Sequence, residues 1–296
     1  MPPLLTGIIA STLLTLNILF WCSLLFIFTF FKLIIPFRPF RQLVTALLNR
    51  IAENWISCNS GWMMLTQKMD WQINMPANLK RKGWYFVVSN HQSWVDILIL
   101  QHVLNRKIPL LKFFLKQELI KVPVMGAAWW ALDFPFMKRY SKSYLEKYPE
   151  KQGKDLETTQ KACEKFRTMP TSVMNFLEGT RFSQHKHDQQ QSPYKYLLKP
   201  KAGGMAFALN AMNGQFHSIL DVTIDYPDGI PSFWDFLQGK MRRCRIDIQQ
   251  RDIPEKLQQG SYATDDHYRE SFQQWTHELW LEKDQQLAAF HAGSND

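Results

Sequence analysis

The amino-terminal part of the sequence lacks charged side chains. No Asp, Glu, Lys, Arg or His precedes Lys32, and residues 4–31 are dominated by Leu, Ile, Phe and Trp. A run of about 20 apolar residues is long enough to cross a bilayer as a helix. A cleaved signal peptide is disfavoured, because no basic region precedes the run and no small-x-small site follows it. We therefore predict a membrane segment over residues 1–35, with a helix that enters only one leaflet as the alternative.

The sequence also lacks paired cysteines, internal repeats and a recognisable nucleic-acid-binding module. Its four cysteines, Cys22, Cys58, Cys163 and Cys244, show no spacing typical of zinc or redox sites, so no disulfide is predicted. The net charge of +9 indicates an anionic partner. Positive charge alone would fit a nucleic acid, but together with a hydrophobic anchor it predicts an anionic lipid surface.

Beyond the apolar segment, the sequence is polar and alternates between strand-like and helix-like patterns. Mean hydropathy is −0.27 in spite of the apolar start, which indicates one water-facing domain of ordinary size. Residues 36–75 carry basic side chains among apolar ones and predict amphipathic helical structure on the membrane surface. Residues 76–296 predict an α/β domain with a mixed, mainly parallel sheet flanked by helices. Basic residues directly after the apolar run place this domain in the cytoplasm.

Apolar runs and their periodicity predict the elements of this domain. Buried strands are predicted at residues 84–88, 171–177, 217–226 and 243–248, and helices at residues 93–103 and 155–168. The spacing of Tyr268, Phe272, Trp275 and Leu279 predicts a final helix that buries this stripe. Residues 144–153 and 183–192 are polar, show no periodicity and are predicted to be loops.

Residues 88–96, Val-Ser-Asn-His-Gln-Ser-Trp-Val-Asp, place His91 and Asp96 five residues apart. On a continuous helix five residues turn about 500°, so the two side chains would lie on poorly matched faces. A strand that ends near Ser89, a turn and a helix that opens at Ser93 would bring them together. They would then lie at the carboxyl end of a strand, where open α/β sheets place their chemistry. The same residues form the pattern of a helix capping box, which explains Asp96 without catalysis.

A second short strand runs into the turn Glu178-Gly179-Thr180-Arg181. An Arg beside such a turn suits a phosphate, because its planar guanidinium donates two parallel hydrogen bonds and stays charged. An ordinary Glu–Arg surface pair, worth about 0–1 kcal/mol, is the alternative. Lys201 opens a further basic, glycine-rich turn, for which both phosphate contact and a helix start are considered. No metal site is predicted, because the group of His185, His187 and Asp188 lacks a fourth spaced ligand.

These blocks resemble those of the glycerolipid acyltransferases typified by 1-acylglycerol-3-phosphate acyltransferase. Asn90 and His91 with Asp96 are similar to the family's Asn-His-x-x-x-x-Asp block, and residues 176–181 resemble its substrate-phosphate block. Residues 116–126 and 134–139 resemble the Lys-x-Glu-Leu…Pro…Gly segment and the Phe-x-x-x-Arg block of the family. Order and spacing agree over residues 84–226. Residues 217–227 depart from the family's two-proline block and look more like enzymes that act on other lysophospholipids.

The resemblance implies an O-acyltransferase of phospholipid synthesis. It would move a long-chain acyl group from acyl-CoA or an acyl-carrier-protein thioester to the sn-2 hydroxyl of 1-acylglycerol-3-phosphate, without a cofactor. His91 is the expected general base, and Asp96 is the group that orients it. No covalent enzyme intermediate is required, so Ser89, Ser93 and Cys163 are not expected to be nucleophiles.

The resemblance also implies a basic pocket for the acceptor's phosphate. Arg181, together with Lys116 and Arg139, would bind this phosphate, and Gly179 and Thr180 belong to the same block. Glu178 is expected to orient the turn rather than transfer a proton. The oxyanion of the reaction would be stabilised by backbone amides.

The resemblance further places the enzyme in the bacterial cell inner membrane, with its catalytic domain on the cytoplasmic side. Its partners would be the bilayer, the lysophospholipid and the thioester donor. An apolar groove for the acyl chain is expected, with Trp129, Trp130, Phe134 and Phe136 either lining it or forming core. The alternatives are an acyltransferase that remodels another lysophospholipid, a noncatalytic membrane lipid-binding protein, and a metal-dependent hydrolase, for which the sequence offers no further ligands.

Overall fold

Two long helices precede the sheet. The computed structural model describes residues 1–137, 147–148, 166, 169–212, 214–216, 218–258, 260–262 and 264–292. Helix α1 spans Pro3–Ile34 and helix α2 spans Arg38–Thr66. Within the described residues, α1 is the one helix long and apolar enough to cross a membrane. The Asn17 side chain donates to Asn59 Oδ1 (2.8 Å) and to the carbonyl of Trp55 (3.2 Å), which joins the middle of α1 to α2.

A six-stranded sheet forms the centre of the domain. Its strands are β1 (Asp70–Asn74), β2 (Tyr85–Ser89), β3 (Leu111–Phe113), β6 (Ser172–Phe176), β7 (Ser218–Asp225) and β8 (Arg243–Asp252). They follow the order β1-β8-β7-β2-β6-β3. Neighbouring strands are parallel except β7 and β8, so the predicted mixed, mainly parallel sheet is confirmed. Strands β4 (Leu115–Lys116) and β5 (Phe136–Met137) form a separate parallel pair.

Helices cover both faces of the sheet. After α1 and α2, the described residues form α3 (Val95–Leu104), α4 (Met125–Ala131), α5 (Gln184–Gln190), α6 (Ala202–Met212), α7 (Phe233–Leu237), α8 (Glu255–Gln258) and α9 (Asp266–Ala292), with a 3₁₀ helix at Gln117–Lys121. Strand β2 is buried along its whole length, and its alternate side chains enter two different cores. Val87 belongs to the core that contains α1, α2 and α3, whereas Phe86 and Val88 belong to the core that contains α6 and α9.

Most of the predicted elements are confirmed to within a few residues. The strands predicted at 84–88, 171–177, 217–226 and 243–248 correspond to β2, β6, β7 and β8, and the predicted final helix is α9. The predicted loop at residues 144–153 and helix at residues 155–168 lie almost wholly outside the described residues. The short strands β1 and β3 were not predicted. Because β1 pairs with β8, the first strand of the sheet lies ahead of residue 76. The division of the chain into residues 1–35, 36–75 and 76–296 stays a prediction.

The loop predicted at residues 183–192 is wrong. Seven of these residues, Gln184–Gln190, form α5. The Ser183 hydroxyl accepts from the backbone N–H of Lys186 (3.4 Å), and Gln184 Nε2 donates to Asp188 Oδ1 one turn away (2.7 Å). A short, exposed helix held by its cap needs no apolar stripe, and periodicity therefore did not indicate it.

The helix predicted to open at Ser93 is confirmed as α3, which begins two residues later, at Val95, and whose first backbone N–H donates to the Ser93 hydroxyl (3.3 Å). The Ser93 hydroxyl donates to the carbonyl of Pro231 (2.7 Å), and the Ser93 backbone N–H donates to Asp96 Oδ2 (2.9 Å). The Asp96 side chain thus reaches back as the capping pattern predicts. The residues before Val95 form a turn whose amides bind this carboxylate.

A buried ion pair holds the carboxyl-terminal helix α9 against β7. Lys283 Nζ lies 2.5 Å from Asp221 Oδ1 and donates to the carbonyl of Val222 (2.7 Å). The other carboxylate oxygen of Asp221 lies 3.2 Å from Arg251 Nε. Lys283 is 1% exposed, and burial lowers its pKa. The packing of α9 on β7 therefore depends on the ion pair between Lys283 and Asp221.

We expect Lys283→Met to lower the free energy of unfolding by about 3 kcal/mol. The substitution leaves the buried carboxylate of Asp221 with only part of its compensation, and breaking a buried pair on one side typically costs ~3–5 kcal/mol. The matched control is Lys240→Met, which removes an exposed pair with Asp235 and should cost no more than about 1 kcal/mol. Urea unfolding in detergent micelles measures both variants. Equal losses would contradict a stabilising role for the buried pair.

Candidate active site

The site begins where the central strand β2 ends. Asn90, the first residue after β2, is fully buried. Its side chain donates from Nδ2 to the carbonyl of Ile224 (2.8 Å) and accepts at Oδ1 from the backbone N–H of the same residue (2.9 Å). The Asn90 amide therefore continues the pairing of β2 with β7 through a side chain. This contact frees the backbone after Asn90 to turn away from the sheet.

His91 and Asp96 meet in this turn, as the sequence predicts. His91 Nδ1 lies 2.8 Å from Asp96 Oδ2, and the two side chains are 12% and 1% exposed. The imidazole stacks on the ring of Phe176, with the two ring centroids 3.8 Å apart and their planes inclined by 12°. Because Asp96 engages Nδ1, the other ring nitrogen, Nε2, is the atom that remains for a substrate. The arrangement is that of a base held by a buried carboxylate.

The Asp96 carboxylate is surrounded by donors. Oδ2 accepts from the backbone N–H groups of Gln92 (2.7 Å) and Ser93 (2.9 Å) in addition to the imidazole. Oδ1 accepts from the hydroxyl of Tyr226, a residue that the sequence analysis did not single out. Such donors are required because a buried carboxylate without them is energetically costly.

The second predicted block lies directly beside this turn. Glu178, at the carboxyl end of β6, accepts at Oε1 from the backbone N–H of His91 (2.8 Å) and at Oε2 from that of Leu198 (2.9 Å). The backbone N–H of Phe182 donates to the carbonyl of His91 (2.7 Å). Burial raises the pKa of Glu178 to about 8, although its two backbone hydrogen bonds act in the opposite direction. The contacts of Glu178 are those of a group that positions the backbone of His91.

The turn after Glu178 has the geometry that its glycine predicts. Gly179 adopts φ +69°, a left-handed conformation that favours glycine, and its N–H donates to the carbonyl of Phe176 (2.9 Å). Lys186 Nζ donates to Thr180 Oγ1 (2.8 Å) and to the carbonyl of Arg181 (2.9 Å). Lys186 lies on α5, the helix that sequence periodicity did not indicate. Hydrogen bonds from Gly179 to β6 and from Lys186 on α5 thus stabilise the turn.

Arg181 contacts the turn after β2 through an aromatic side chain. Its guanidinium carbon lies 4.7 Å from the ring centroid of Trp94, which is 52% exposed. Trp94 stands between His91 and Asp96 in the sequence. A cation over an exposed indole is attracted by the ring while its hydrogen-bond donors stay available. The structure therefore joins the two sequence blocks in one site.

Three further basic residues, Lys116, Arg139 and Lys201, were predicted as phosphate contacts. Lys116 is exposed and lies on β4, three residues after Phe113, whose ring centroid is 6.2 Å from that of Phe176. Arg139 lies outside the described residues. Lys201 directly precedes α6 and donates its backbone N–H to the carbonyl of Leu177 (2.7 Å), so the helix-start interpretation is confirmed. A phosphate contact of Lys201 stays a prediction.

The residues proposed to line an acyl groove differ in their burial. Phe134 is 8% exposed and packs in the core beside Trp129, whereas Trp130 is 49% exposed. Their role in a groove stays a prediction. Among the residues that the structure describes, no cluster of three or more His, Cys, Asp or Glu side chains could hold a metal ion.

Comparison with known proteins defines the class. The sequence pattern of the acyltransferase family matches residues 71–227, just over half of the chain, and this span contains both blocks. The chain therefore belongs to the acyltransferase family and is an acyltransferase.

Curated relatives and a solved structure agree with this assignment. The chain is 25% identical over 287 residues to 1-acyl-sn-glycerol-3-phosphate acyltransferase gamma of Mus musculus, covering 88% of this chain and 70% of that protein. It is 25% identical over 215 residues to the delta enzyme of Homo sapiens, covering 67% and 50%. The crystal structure of the 1-acyl-sn-glycerophosphate acyltransferase of Thermotoga maritima matches with a TM-score of 0.56 at 18% identity, over 97% of this chain and 96% of that one. That structure supports the fold.

Glu178→Gln tests the state of the buried carboxyl. Its pKa is about 8 in the folded protein, against an ordinary value of 4.5. Between these values the folded protein binds a proton that the unfolded chain has lost, so this group makes the free energy of unfolding fall as pH rises from about 5 to about 8. We expect urea unfolding of the variant to lose that part of the pH dependence.

The matched control for this measurement is Glu270→Gln, on an exposed position of α9. It should retain the wild-type dependence on pH. If Glu178→Gln retained it as well, the carboxyl would be ionised in the folded protein across the whole range.

Proposed function

We propose that this enzyme transfers a long-chain acyl group from an acyl thioester to the sn-2 hydroxyl of 1-acylglycerol-3-phosphate. The observation that carries the proposal is the His91 imidazole, held 2.8 Å from a buried carboxylate at the end of the central strand, in a turn whose Trp94 contacts Arg181. The printed names of the relatives support this acceptor. The donor is acyl-CoA or an acyl-carrier-protein thioester, and no cofactor takes part.

In the proposed reaction His91 is a general base. Its Nε2 takes the proton of the glycerol hydroxyl while the oxygen attacks the thioester carbonyl. Asp96 keeps Nδ1 protonated and stabilises the imidazolium as it forms. When the tetrahedral intermediate collapses, the carbon–sulfur bond breaks and the leaving thiolate takes the proton from His91. The products are the diacyl phosphate ester and a free thiol.

The nearby hydroxyl groups favour direct transfer over a covalent acyl-enzyme. The Ser89 hydroxyl donates to the carbonyl of Asn90 (2.9 Å) and is fully buried. The Ser93 hydroxyl donates to the carbonyl of Pro231 (2.7 Å). Both hydroxyl protons are committed to backbone carbonyls. A positioned base acting on the acceptor removes the need for either as nucleophile.

Arg181 is the proposed principal contact of the acceptor phosphate. The guanidinium offers a bidentate fork, and its contact with the Trp94 ring holds it beside the turn that carries His91. Gly179 and Thr180 shape the turn that carries it, and Lys116, Arg139 and Lys201 would add positive charge. A clamp of this kind places the sn-2 hydroxyl at His91 and makes the reaction effectively intramolecular.

The way α1 is attached favours a helix that lies in one leaflet. A Cβ at Gly7 would meet Trp234 and Gln238 at 3.0 Å, so the start of α1 packs closely on α7 and the residue after it. Near its other end, Lys32 Nζ lies 3.1 Å from Asp133. Together with Asn17 in the middle, these contacts hold α1 along the domain. We place its exposed apolar side in the cytoplasmic leaflet of the inner membrane, with the site open to cytoplasmic thioesters.

A second acceptor is favoured by one observation. Residues 217–227 depart from the family's two-proline block and resemble enzymes that act on other lysophospholipids. A panel of lysophospholipids with different headgroups, assayed on one preparation, decides between remodelling of another lipid and use of 1-acylglycerol-3-phosphate. If 1-acylglycerol-3-phosphate is the acceptor, the highest kcat/KM is expected for the lysophospholipid whose phosphate carries no further headgroup.

His91→Ala is expected to lower turnover at least about 100-fold, because a positioned base contributes ~10²–10⁴-fold. Thiol release and diacyl product are followed with a long-chain acyl thioester and lysophosphatidate, with a chelator added in parallel. His267→Ala, an exposed position on α9, is the control and should retain wild-type turnover. A folded His91→Ala variant with wild-type activity would refute the base assignment. Loss of wild-type activity on chelation would indicate metal-dependent chemistry instead.

Arg181→Ala is expected to raise KM for the acceptor at least about 10-fold and to leave KM for the donor within about 2-fold, since a charge-assisted bidentate contact is lost. Initial rates over both substrates measure the two constants. Arg269→Ala, which removes an exposed pair with Asp266, should change neither. A change confined to the donor would contradict the phosphate role.

A further inference from the structure

Tyr226 lies where β7 extends past the end of β2. The pairing of the two strands ends with Ser89 opposite Val222, and the Asn90 side chain then binds Ile224. Tyr226 follows two residues later. Alternate residues of a strand share a face, and Val222, Ile224 and Tyr226 all enter the core that contains α3. Asp96 lies in the first turn of α3, so the topology brings the phenol to this carboxylate.

The contact between these side chains is a hydrogen bond in a dry environment. The Tyr226 hydroxyl donates to Asp96 Oδ1, and Tyr226 and Asp96 are 3% and 0% exposed. Burial, followed by the charge of Asp96, raises the pKa of Tyr226 well above its ordinary value. The phenol therefore stays protonated, and remains a hydrogen-bond donor, at neutral pH.

We infer that Tyr226 is a positioning residue for acyl transfer, which acts through Asp96 on the imidazole of His91. The carboxylate has two oxygens with different partners: Oδ2 binds His91 Nδ1, and Oδ1 binds the phenol. Together with the two backbone amides on Oδ2, the phenol fixes the rotation of the carboxylate and hence the plane of the imidazole. It also withdraws charge from the carboxylate and weakens its attraction for the imidazolium. This inference rests on the proposed role of His91 as base.

The titratable groups around this carboxylate come from several elements. Glu178 lies at the end of β6, Cys244 on β8 and Asp225 next to Tyr226, and Lys283 on α9 acts on Glu178. Burial raises the pKa of Cys244, so its thiol stays neutral. Glu178, with a pKa raised to about 8, also titrates in the pH range of the assay. Its effect on the pH profile cancels when wild type is compared with Tyr226 variants, because Glu178 is present in all of them.

Tyr226→Phe tests the inference because it removes only the hydroxyl. We expect kcat to fall about 10-fold with both KM values within about 2-fold, since a hydrogen bond to a charged group is lost and no substrate contact is. We also expect the acidic limb of kcat against pH to move to higher pH, because a carboxylate without the phenol stabilises the imidazolium more strongly. The control is Tyr268→Phe, whose hydroxyl donates to the carbonyl of Leu257 (2.8 Å) and to Asn210 (3.1 Å) away from the site. It should leave kcat and the limb unchanged.

Two further measurements separate positioning from general stability. In the background of Asp96→Asn, Tyr226→Phe should cost little more, since the group through which it acts is altered. Fluorotyrosine at position 226 keeps the shape of the side chain and is a stronger donor, so it should move the acidic limb to lower pH. This variant also gives the answer if Tyr226→Phe does not fold.

Wild-type kcat and an unmoved limb in folded Tyr226→Phe would overturn the inference, as would equal losses in Tyr226→Phe and Tyr268→Phe. The proposed function would survive these results as long as His91→Ala remains inactive. If His91→Ala is active, the proposed base fails, and the inference fails with it.

Discussion

The buried carboxylate of Asp96 is the group on which the geometry of the site depends. It accepts from the imidazole of His91, from two backbone amides of the turn and from Tyr226 on the neighbouring strand. A carboxylate in this position is tolerated only when donors surround it. The turn after β2 and the end of β7 must therefore keep their register. The Asn90 side chain, bound to both the N–H and the carbonyl of Ile224, maintains that register.

The site lies at an edge of the sheet where the two cores on its opposite faces meet. On one face, the core contains α1, α2 and α3, and on the other it contains α6 and α9. Glu178 lies between them and binds the backbone of His91 and of Leu198, whose carbonyl accepts from Trp280 on α9 (3.1 Å). Three hydrogen bonds, Trp280–Leu198, Leu198–Glu178 and Glu178–His91, thus connect α9 with the backbone of the proposed base.

Local patterns in the sequence predict many of the helices and strands of this structure. The apolar run before Lys32 predicts α1, and the buried runs before Asn90 and Glu178 predict β2 and β6, because side-chain burial leaves a direct record in composition. The spacing of His91 and Asp96 predicts a turn between them, since no helix would bring them together. The same reasoning failed for α5, which is polar, short and held by its cap. It also missed the short strands β1 and β3, which lack an apolar run of sufficient length.

The sequence by itself determined which residues could act as base and phosphate contact, because those chemistries depend on side-chain type and on neighbours a few residues away. Only the tertiary structure decided which partners hold them. Tyr226 lies 130 residues from Asp96 along the chain, and Leu198 lies 20 residues from Glu178. Trp94 and Lys186 likewise acquire their roles only when the turn after β6 is placed beside that after β2. Such contacts follow from the order of the strands in the sheet, which no local pattern specifies.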